Sequence, residues 1–514
     1  MFTFRSLRIV VATVSIVLLS ALYLDIAGRI PASWNSYILA FQFAPALLKT
    51  VTTVSVAALG VVFILTLTVM YGRIYCSYLC PLGTLQDIVI WFAHGKTKHR
   101  KFPYAKPAYK AHYLVSTIII VTAAGGSMVL LNLFEPFSSY GRMLSSLIRP
   151  AMIVVNNAAA IIAGPGNLLG VVMIPLHGVN LLTMGVPVLF LGVLIVLSVR
   201  RGRLFCNLLC PVGGVLSLLS HISVYRITIQ GTECIDCGLC ERVCRAECID
   251  SKEKTIDVAA CVGCFDCIGA CPTNGMKYSY QRRSVITEKA AADRRVVMMG
   301  LSAALIDTTG IRKIPGVAAA EESAYAAAKK LPVVPPGGQG MEMFSQLCTA
   351  CHRCIAVCPT HVVQQSFLEY GMAGILQPAL DFHVNYCNYD CTLCGEVCPT
   401  GAIRHLPENE KKSVQIGKVT FVKEDCIVET KKKDCGACAE HCATKAVRMV
   451  PYGRLTLPEI DNQYCVGCGA CEHACPTVPR RAIFVTPNPV HLTAKKREEK
   501  RMEPQEAVPS EFPF

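Results

Sequence analysis

Six short stretches of this sequence repeat cysteine at intervals of two or three residues. "CIDCGLCERVC" carries Cys234, Cys237, Cys240 and Cys244, and "CVGCFDCIGACP" carries Cys261, Cys264, Cys267 and Cys271. Farther on, "CTACHRCIAVCP" carries Cys348, Cys351, Cys354 and Cys358, and "CNYDCTLCGEVCP" carries Cys387, Cys391, Cys394 and Cys398. The last two are "CIVETKKKDCGACAEHC", with Cys426, Cys435, Cys438 and Cys442, and "CVGCGACEHACP", with Cys465, Cys468, Cys471 and Cys475. Four of the six are uninterrupted C-x2-C-x2-C-x3-C runs. Three thiolates at that spacing wrap three irons of a cubane, and the fourth iron takes its ligand from elsewhere. Structural zinc would use two pairs of ligands instead. Six repeats therefore point to six [4Fe–4S] clusters.

In two-cluster ferredoxins the last cysteine of each run serves the other cluster. On that rule Cys234, Cys237, Cys240 and Cys271 form one set, and Cys261, Cys264, Cys267 and Cys244 another. Arg245 stands where proline is usual, and a fifth thiol, Cys248, follows as an alternative to Cys244. "CTACH" (348–352) also matches C-x-x-C-H, the covalent haem attachment motif. Its cysteines open a complete cluster run, however, which leaves His352 as a neighbour that could tune a cluster.

A second repeat is of another kind. "GRIYCSYLCPLG" (72–83) and "GRLFCNLLCPVG" (202–213) share G-R-x-aromatic-C-x-x-L-C-P-x-G. Spacing of i, i+4 puts Cys76 with Cys80, and Cys206 with Cys210, on one face of a helical turn. Three readings are open: thiols that only pack, a redox-active thiol pair, or four thiolates converging on one further centre. A stable disulfide is disfavoured in a reducing compartment.

These thiols need scaffolds of two sorts. The chain has 514 residues, 52% of them hydrophobic and only 17% charged, and the apolar residues crowd ahead of the first cluster run. Four segments read as membrane spans: Ile9–Leu24, Val51–Tyr71, Tyr113–Leu131 and Met184–Val199. The net charge of +14 marks cytoplasmic loops rather than a nucleic-acid surface. Arg5 and Arg8 precede the first span. Arg73, Lys96, Lys98, Arg100, Lys101, Lys106 and Lys110 lie between the second and third, and Arg200, Arg201 and Arg203 follow the fourth. Both ends of the unit, and with them the C-x3-C-P motifs, are thus expected at the cytoplasmic surface. Ala151–Ala163 and Leu168–Leu182 are apolar but broken by Pro165, Gly166, Pro175 and Gly178, and read as interfacial or re-entrant on the outer side. An extra pair of spans would leave the orientation unchanged. The first apolar run lacks small residues at a cleavage site and reads as an anchor.

The expected fold is an α-helical membrane domain of about four spans (1–222) followed by small α+β ferredoxin modules of the bacterial type. A two-cluster module covers 223–285 and a four-cluster module covers 341–486. Between them, "DRRVVMMGLSAALI" (293–306) sets Arg294 and Arg295 before a short apolar run, with Ala318, Ala319 and Ala320 farther on. That is the layout of a twin-arginine export signal, either cleaved after Ala320 or kept as an anchor. A linker rich in Ala, Pro and Gly covers 312–340, and a disordered tail is expected from 487.

The first 280 residues resemble NapH-type membrane ferredoxins on their spans, paired C-x3-C-P elements and two-cluster domain. Residues 290–490 resemble NapG-type ferredoxins on "DRRVVMMGLSAAL", "PPGGQGMEMFSQLCTACHRCIAVCP", the long run at 426–442 and the closing "CVGCGACEHACP". The resemblance implies a fusion of two partners that pass electrons from quinol to a periplasmic nitrate reductase. The expected function is therefore electron transfer between the quinone pool and a redox partner protein, a reductase or cytochrome, from an inner-membrane multi-pass chain. The first module would be cytoplasmic and the second periplasmic. Any bond chemistry is limited to quinol oxidation, for which Asp25, Glu135 and His177 are weak candidates. Two other classes are an electron donor for maturing an exported metalloenzyme, and a membrane redox sensor. On this reading ~30 Å of hydrocarbon separates the two modules, with no cofactor site evident midway. Changing Arg294 and Arg295 to lysine is expected to trap the second module in the cytoplasm. Protease added to intact spheroplasts should then cut it in wild type and spare it in the variant.

Overall fold

The computed structural model describes residues 4–25, 28–52, 56–94, 102, 104, 108–163, 173–176, 181–281 and 331–496. The twin-arginine segment, Ala318–Ala320 and His177 lie outside them.

Apolar runs form the helices of the N-terminal half, and one of them, Leu181–Arg201, carries Pro187 inside it. They are α1 (Phe4–Leu24), α2 (Ala32–Ala40), α3 (Phe43–Thr52), α4 (Val56–Tyr71), α5 (Tyr75–Tyr78), α6 (Pro81–His94) and α7 (Tyr109–Ala124). After them come α8 (Val129–Phe134), α9 (Pro136–Met143), a π segment (Leu144–Ile148), α10 (Arg149–Ala163), α11 (Leu181–Arg201), α12 (Leu204–Leu208) and α13 (Pro211–Ser220). Among the described residues, three helices are long and apolar enough to cross a membrane: Phe4–Leu24, Pro136–Ala163 and Leu182–Arg201. α4 and α7 have 16 residues each and rise only about 24 Å, less than the ~30 Å hydrocarbon core. The third expected span thus stops at Ala124, because Gly126 turns left-handed just beyond it. Val10, Val14, Val17 and Leu18 of α1 stay exposed, as a lipid-facing flank would.

The Pro136–Ala163 helix combines two features. It is long enough to span, yet its first half lies under the second ferredoxin module. Arg142 Nη1 donates to Ala350 O at 3.3 Å, Ser146 Oγ to Gln365 Oε1 at 2.9 Å and Arg149 Nη1 to Ala356 O at 2.5 Å. Ala151–Ala163 continues this helix.

The modules consist of two-stranded antiparallel ribbons and single helical turns. The first has β1 (Tyr225–Ile229) paired with β4 (Met276–Tyr280), and β2 (Ile249–Asp250) with β3 (Thr255–Ile256). The second pairs β5 (Val363–Gln365) with β6 (Pro378–Leu380), β7 (Val414–Phe421) with β10 (Ile483–Thr493), and β8 (Val447–Tyr452) with β9 (Leu455–Ile460). Its order extends past both expected boundaries. Val333 and Val334 are buried, and Val333 bridges Leu380, so folded chain begins within the expected linker. At the other end β10 passes a bulge and pairs Leu492 with Gln415, while Asn488 Nδ2 donates to Gln415 O at 3.1 Å. The expected tail is therefore strand through Thr493.

α1 joins the modules. At its start Phe4 stacks on Phe265 with ring centroids 5.3 Å apart, and Arg8 reaches Asp266 at 3.7 Å. At its end the Tyr23 hydroxyl donates to Cys351 O at 3.0 Å. The 21 residues of α1 rise about 30 Å, so the modules sit about one membrane thickness apart. One buried core runs the whole way, from Cys264 through Cys206, Cys76 and Leu19 to Cys351.

An ionic knot bolts the first module down. Asp87 of α6 pairs with Arg203 at 2.7 Å, Arg245 at 2.7 Å and Arg8 at 3.2 Å, and Arg245 also holds Asp266 at 2.8 Å. This explains the departure from proline at 245. Burial raises the Asp87 carboxyl, but Arg203, Arg245 and Arg8 outweigh it and bring it from 3.8 down to about 2. A carboxylate whose folded pKa lies below its unfolded one stabilises the fold above the unfolded pKa, and that contribution is lost as pH falls toward the folded pKa. It is on the order of 2 kcal/mol here. Asp87→Asn takes from buried Arg203 its one carboxylate among the described ion pairs and should loosen first-module docking at neutral pH, read as faster amide exchange in β1–β4. The gap between wild type and D87N should close as pH falls from about 5 to about 2.

Candidate electron-transfer site

Each cluster run is a loop that ends in one helical turn. In four runs the residue after the second cysteine is left-handed: Gly238, Phe265, His352 and Gly469. The turns that follow, Leu239–Arg242, Asp266–Ala270, Arg353–Val357 and Ala470–Ala474, each carry a third cysteine. This reversal gathers three thiols. Cys240 lies within Coulombic reach of Cys237 and Cys234, and Cys354 within reach of Cys348 and Cys351.

The fourth thiol comes from a neighbouring run. Cys271 shares a small cleft with Cys234, Cys237 and Cys240, and Cys244 lies beside Cys264 and Cys267. Likewise Cys398 neighbours Cys348, Cys351 and Cys354, and Cys358 neighbours Cys387, Cys391 and Cys394. Cys475 joins Cys426, Cys435 and Cys438, and Cys442 joins Cys465, Cys468 and Cys471. Among the described residues no three Cys, His, Asp or Glu side chains close around a point as they would for a single metal ion.

The sets also adjoin one another. Cys240 lies near Cys267, Cys354 near Cys394, Cys387 near Cys468 and Cys471 near Cys438. The Cys387 N–H donates to Cys468 O at 2.9 Å. The second module thus runs in series from the Cys348 set, at the bundle, through the Cys387 and Cys465 sets to the Cys426 set.

Cys248 Sγ is 3.5 Å from Cys244 Sγ, and Cys261 is its other neighbour, so both alternative ligands stand at the same place. His352 is buried, with Nε2–H donating to Leu376 O at 2.9 Å and Nδ1 taking the Ser145 hydroxyl at 3.2 Å. Burial brings its pKa down to about 3. It is a neutral ring with both nitrogens engaged, leaving neither for an axial metal. Asp25 accepts from the N–H groups of Arg29 at 3.0 Å and Ile30 at 2.7 Å, closing a turn. Glu135 caps α9, accepting from Phe137 N at 3.0 Å and Ser138 N at 2.5 Å.

The cysteines of the C-x3-C-P motifs are deeper than a surface placement implies. Cys76, Cys80, Cys206 and Cys210 are all buried, covered by the first module: Ser77 Oγ donates to Val262 O at 2.8 Å, and Arg203 N to Arg245 O at 2.8 Å. Ser15 Oγ donates to Leu79 O at 3.1 Å, which sets them beside the middle of α1. The partners that organise this region, Arg8, Asp87 and Asp266, were not singled out as functional residues. The repeated Gly-Arg of the two motifs is the signal that pointed here.

Comparison with known proteins bears on these modules. Residues 347–427 and 431–478 each match a domain family described as "4Fe-4S dicluster domain". They are iron–sulfur ferredoxin modules. Residues 54–100 and 183–229, which hold the two C-x3-C-P motifs, match a family described as "4Fe-4S binding domain". An uncharacterized protein of Methanocaldococcus jannaschii is 24% identical over 264 residues, 51% of this chain and 80% of its own. YccM of Escherichia coli, named as an electron transport protein, is 23% identical over 44% of this chain, and the match spans 56% of YccM. The ferredoxin-type protein NapG of Escherichia coli is 25% identical over 36% of this chain and 82% of its own. No solved structure matches. The chain is similar to these proteins, among them an electron transport protein and a ferredoxin-type protein by name. Cys354→Ser is expected to lower iron by about four atoms per chain, measured with acid-labile sulfide on anaerobically purified protein; unchanged iron contradicts the set described for Cys354.

Proposed function

We propose that this chain carries electrons between the quinone pool and a redox partner protein, a reductase or cytochrome, through six [4Fe–4S] clusters held by the six thiol sets. The observation that carries the reading is the serial order of those sets against a bundle of membrane-length helices. When bound, each cluster supplies a one-electron centre whose potential depends on exposure and hydrogen bonding. The loop charges favour a cytoplasmic first module, and the Arg294–Arg295 segment favours a periplasmic second one.

Quinol oxidation releases two electrons and two protons, so its site needs polar groups beside a cluster. A cavity of about 130 Å3 lies between α2, α4 and the second module, lined by Asn35, Ser36, Lys49 and Glu396 and reaching Cys398. Asn35 is buried, its Oδ1 accepting from Arg353 Nε at 2.8 Å. Glu396 Oε1 accepts from Thr392 Oγ1 at 2.6 Å. On this reading Lys49 and Ser36 orient a quinol headgroup and Glu396 takes a proton. Anaerobic protein mixed with a short-chain quinol should show bleaching of its iron–sulfur absorbance. Glu396→Gln should slow that bleaching about 10²-fold and leave dithionite reduction complete. Wild-type protein that dithionite reduces but no quinol does would overturn the quinone link.

A further inference from the structure

We infer that Cys76, Cys80, Cys206 and Cys210 together hold one additional iron–sulfur cluster, shared by the two halves of the repeat and seated between the two ferredoxin modules. The inference rests on the reading of those modules as cluster-bearing. Each half supplies only two thiols, and a cluster held by cysteine alone needs four. The fold brings the halves together: Cys80 lies within Coulombic reach of Cys206 and Cys76, and Cys210 within reach of Cys206, Cys80 and Cys76.

The halves clamp each other by a reciprocal pair of arginines. Arg73 Nη2 donates to Cys206 O at 3.0 Å, and Arg203 Nη1 donates to Cys76 O at 2.8 Å. The last glycine of each motif makes room for this crossing. A Cβ at Gly83 would meet Cys76 O and lie 2.6 Å from Arg203 Nη1, and one at Gly213 would meet Cys206 O and lie 2.9 Å from Arg73 Nη2. Pro81 and Pro211 start α6 and α13 beside the second cysteines. Gly213 N–H donates to Cys210 Sγ at 3.3 Å, and such a donor favours charge on sulfur. The arginine, both cysteines, the proline and the last glycine of the twelve-residue repeat thus each have a task at one centre.

The charge balance points the same way. Arg8, Arg73, Arg203 and Arg245 are buried at this junction. The carboxylates beside them are already engaged: Asp87 and Asp266 with Arg8, Arg203 and Arg245, and the buried Glu247 with Arg201. Among the described ion pairs Arg73, 1% exposed, has no carboxylate. Its guanidinium donates to Asn207 Oδ1 and to the carbonyls of Ala259 and Cys206, at 2.7–3.0 Å, and it also bonds the Cys76 side chain. A buried cation without a counter-charge is costly, and four protonated thiols supply none; a thiolate-bound cluster is an anion. Donors are in place for it as well. Arg73 Nε and Gln86 Nε2 are buried without a partner among the described residues.

The location gives the cluster its use. On the first-module side Tyr78 is within Coulombic reach of Cys264. On the other side Tyr75 reaches toward Glu135, and Glu135 lies within Coulombic reach of Cys351. A one-electron centre here would stand between the Cys264 set and the Cys351 set, in the interval that otherwise separates the modules.

The test uses full-length, anaerobically purified protein. C80S, C210S and the quadruple serine variant should all lose the same iron, about two atoms for a [2Fe–2S] cluster or about four for a [4Fe–4S] cluster. A quadruple variant with undiminished iron would overturn the proposal and leave a dithiol pair or packing. C354S separates this from failure of the module reading: if it too loses no iron, the modules themselves are misread. Arg73→Gln keeps all four thiols. It should hold its iron but lower the potential of one centre in a dye-mediated redox titration followed by electron paramagnetic resonance, because a cation has been removed. Titration curves identical to wild type for every centre would count against an anionic cluster beside Arg73.

Discussion

Burying a charge is costly unless it is matched, and the junction between the helix bundle and the first ferredoxin module is organised by that constraint. Asp87 draws Arg8, Arg203 and Arg245 into one knot, and Arg245 passes the link on to Asp266 of the first module. Removing either partner of such a pair costs several kcal/mol, because it strands the other. The knot fixes α1 at its N-terminal end, packs the two C-x3-C-P turns together and seats the first module over their thiols. From there the rigid length of α1 sets how far away the second module lies.

That second module is held by a different chemistry. Tyr23, Arg142 and Arg149 of the bundle donate to backbone carbonyls of the first cluster run, at Cys351, Ala350 and Ala356, and Arg353 reaches back to Asn35. Donors directed at the loop around a cluster both anchor the loop and bias its potential. The bundle therefore does more than anchor the modules. It orders them along one axis, with the Cys261 set and the Cys348 set facing each other across it.

Much of the cluster chemistry was legible in the sequence because ligand spacing is local. Three thiols within seven residues must gather whatever surrounds them. The crossed fourth ligand is an expectation of the same rule; Cys271 lies beside Cys234, and Cys244 beside Cys264. Less was legible where the deciding contact is distant in sequence. Arg245 read as a departure from proline, and only Asp87, far upstream, explains it. Ala151–Ala163 read as interfacial or re-entrant, although it continues a helix whose start lies under the second module. The expected linker and tail were judged by composition, while Val333 and Leu492 are ordered by pairing with Leu380 and Gln415. The depth of Cys76 and Cys206 was hidden too, since loop charges locate a helix end but not what covers it.

The central claim is that one chain conducts electrons from one ferredoxin module to the other along α1. It is tested most directly in sealed vesicles containing only this protein, with no quinone, a membrane-impermeant reductant outside and an impermeant electron acceptor trapped inside. The account predicts that the trapped acceptor is reduced by wild type and not by C80S. Full reduction of the outward-facing module with no reduction of the trapped acceptor in wild type would contradict it.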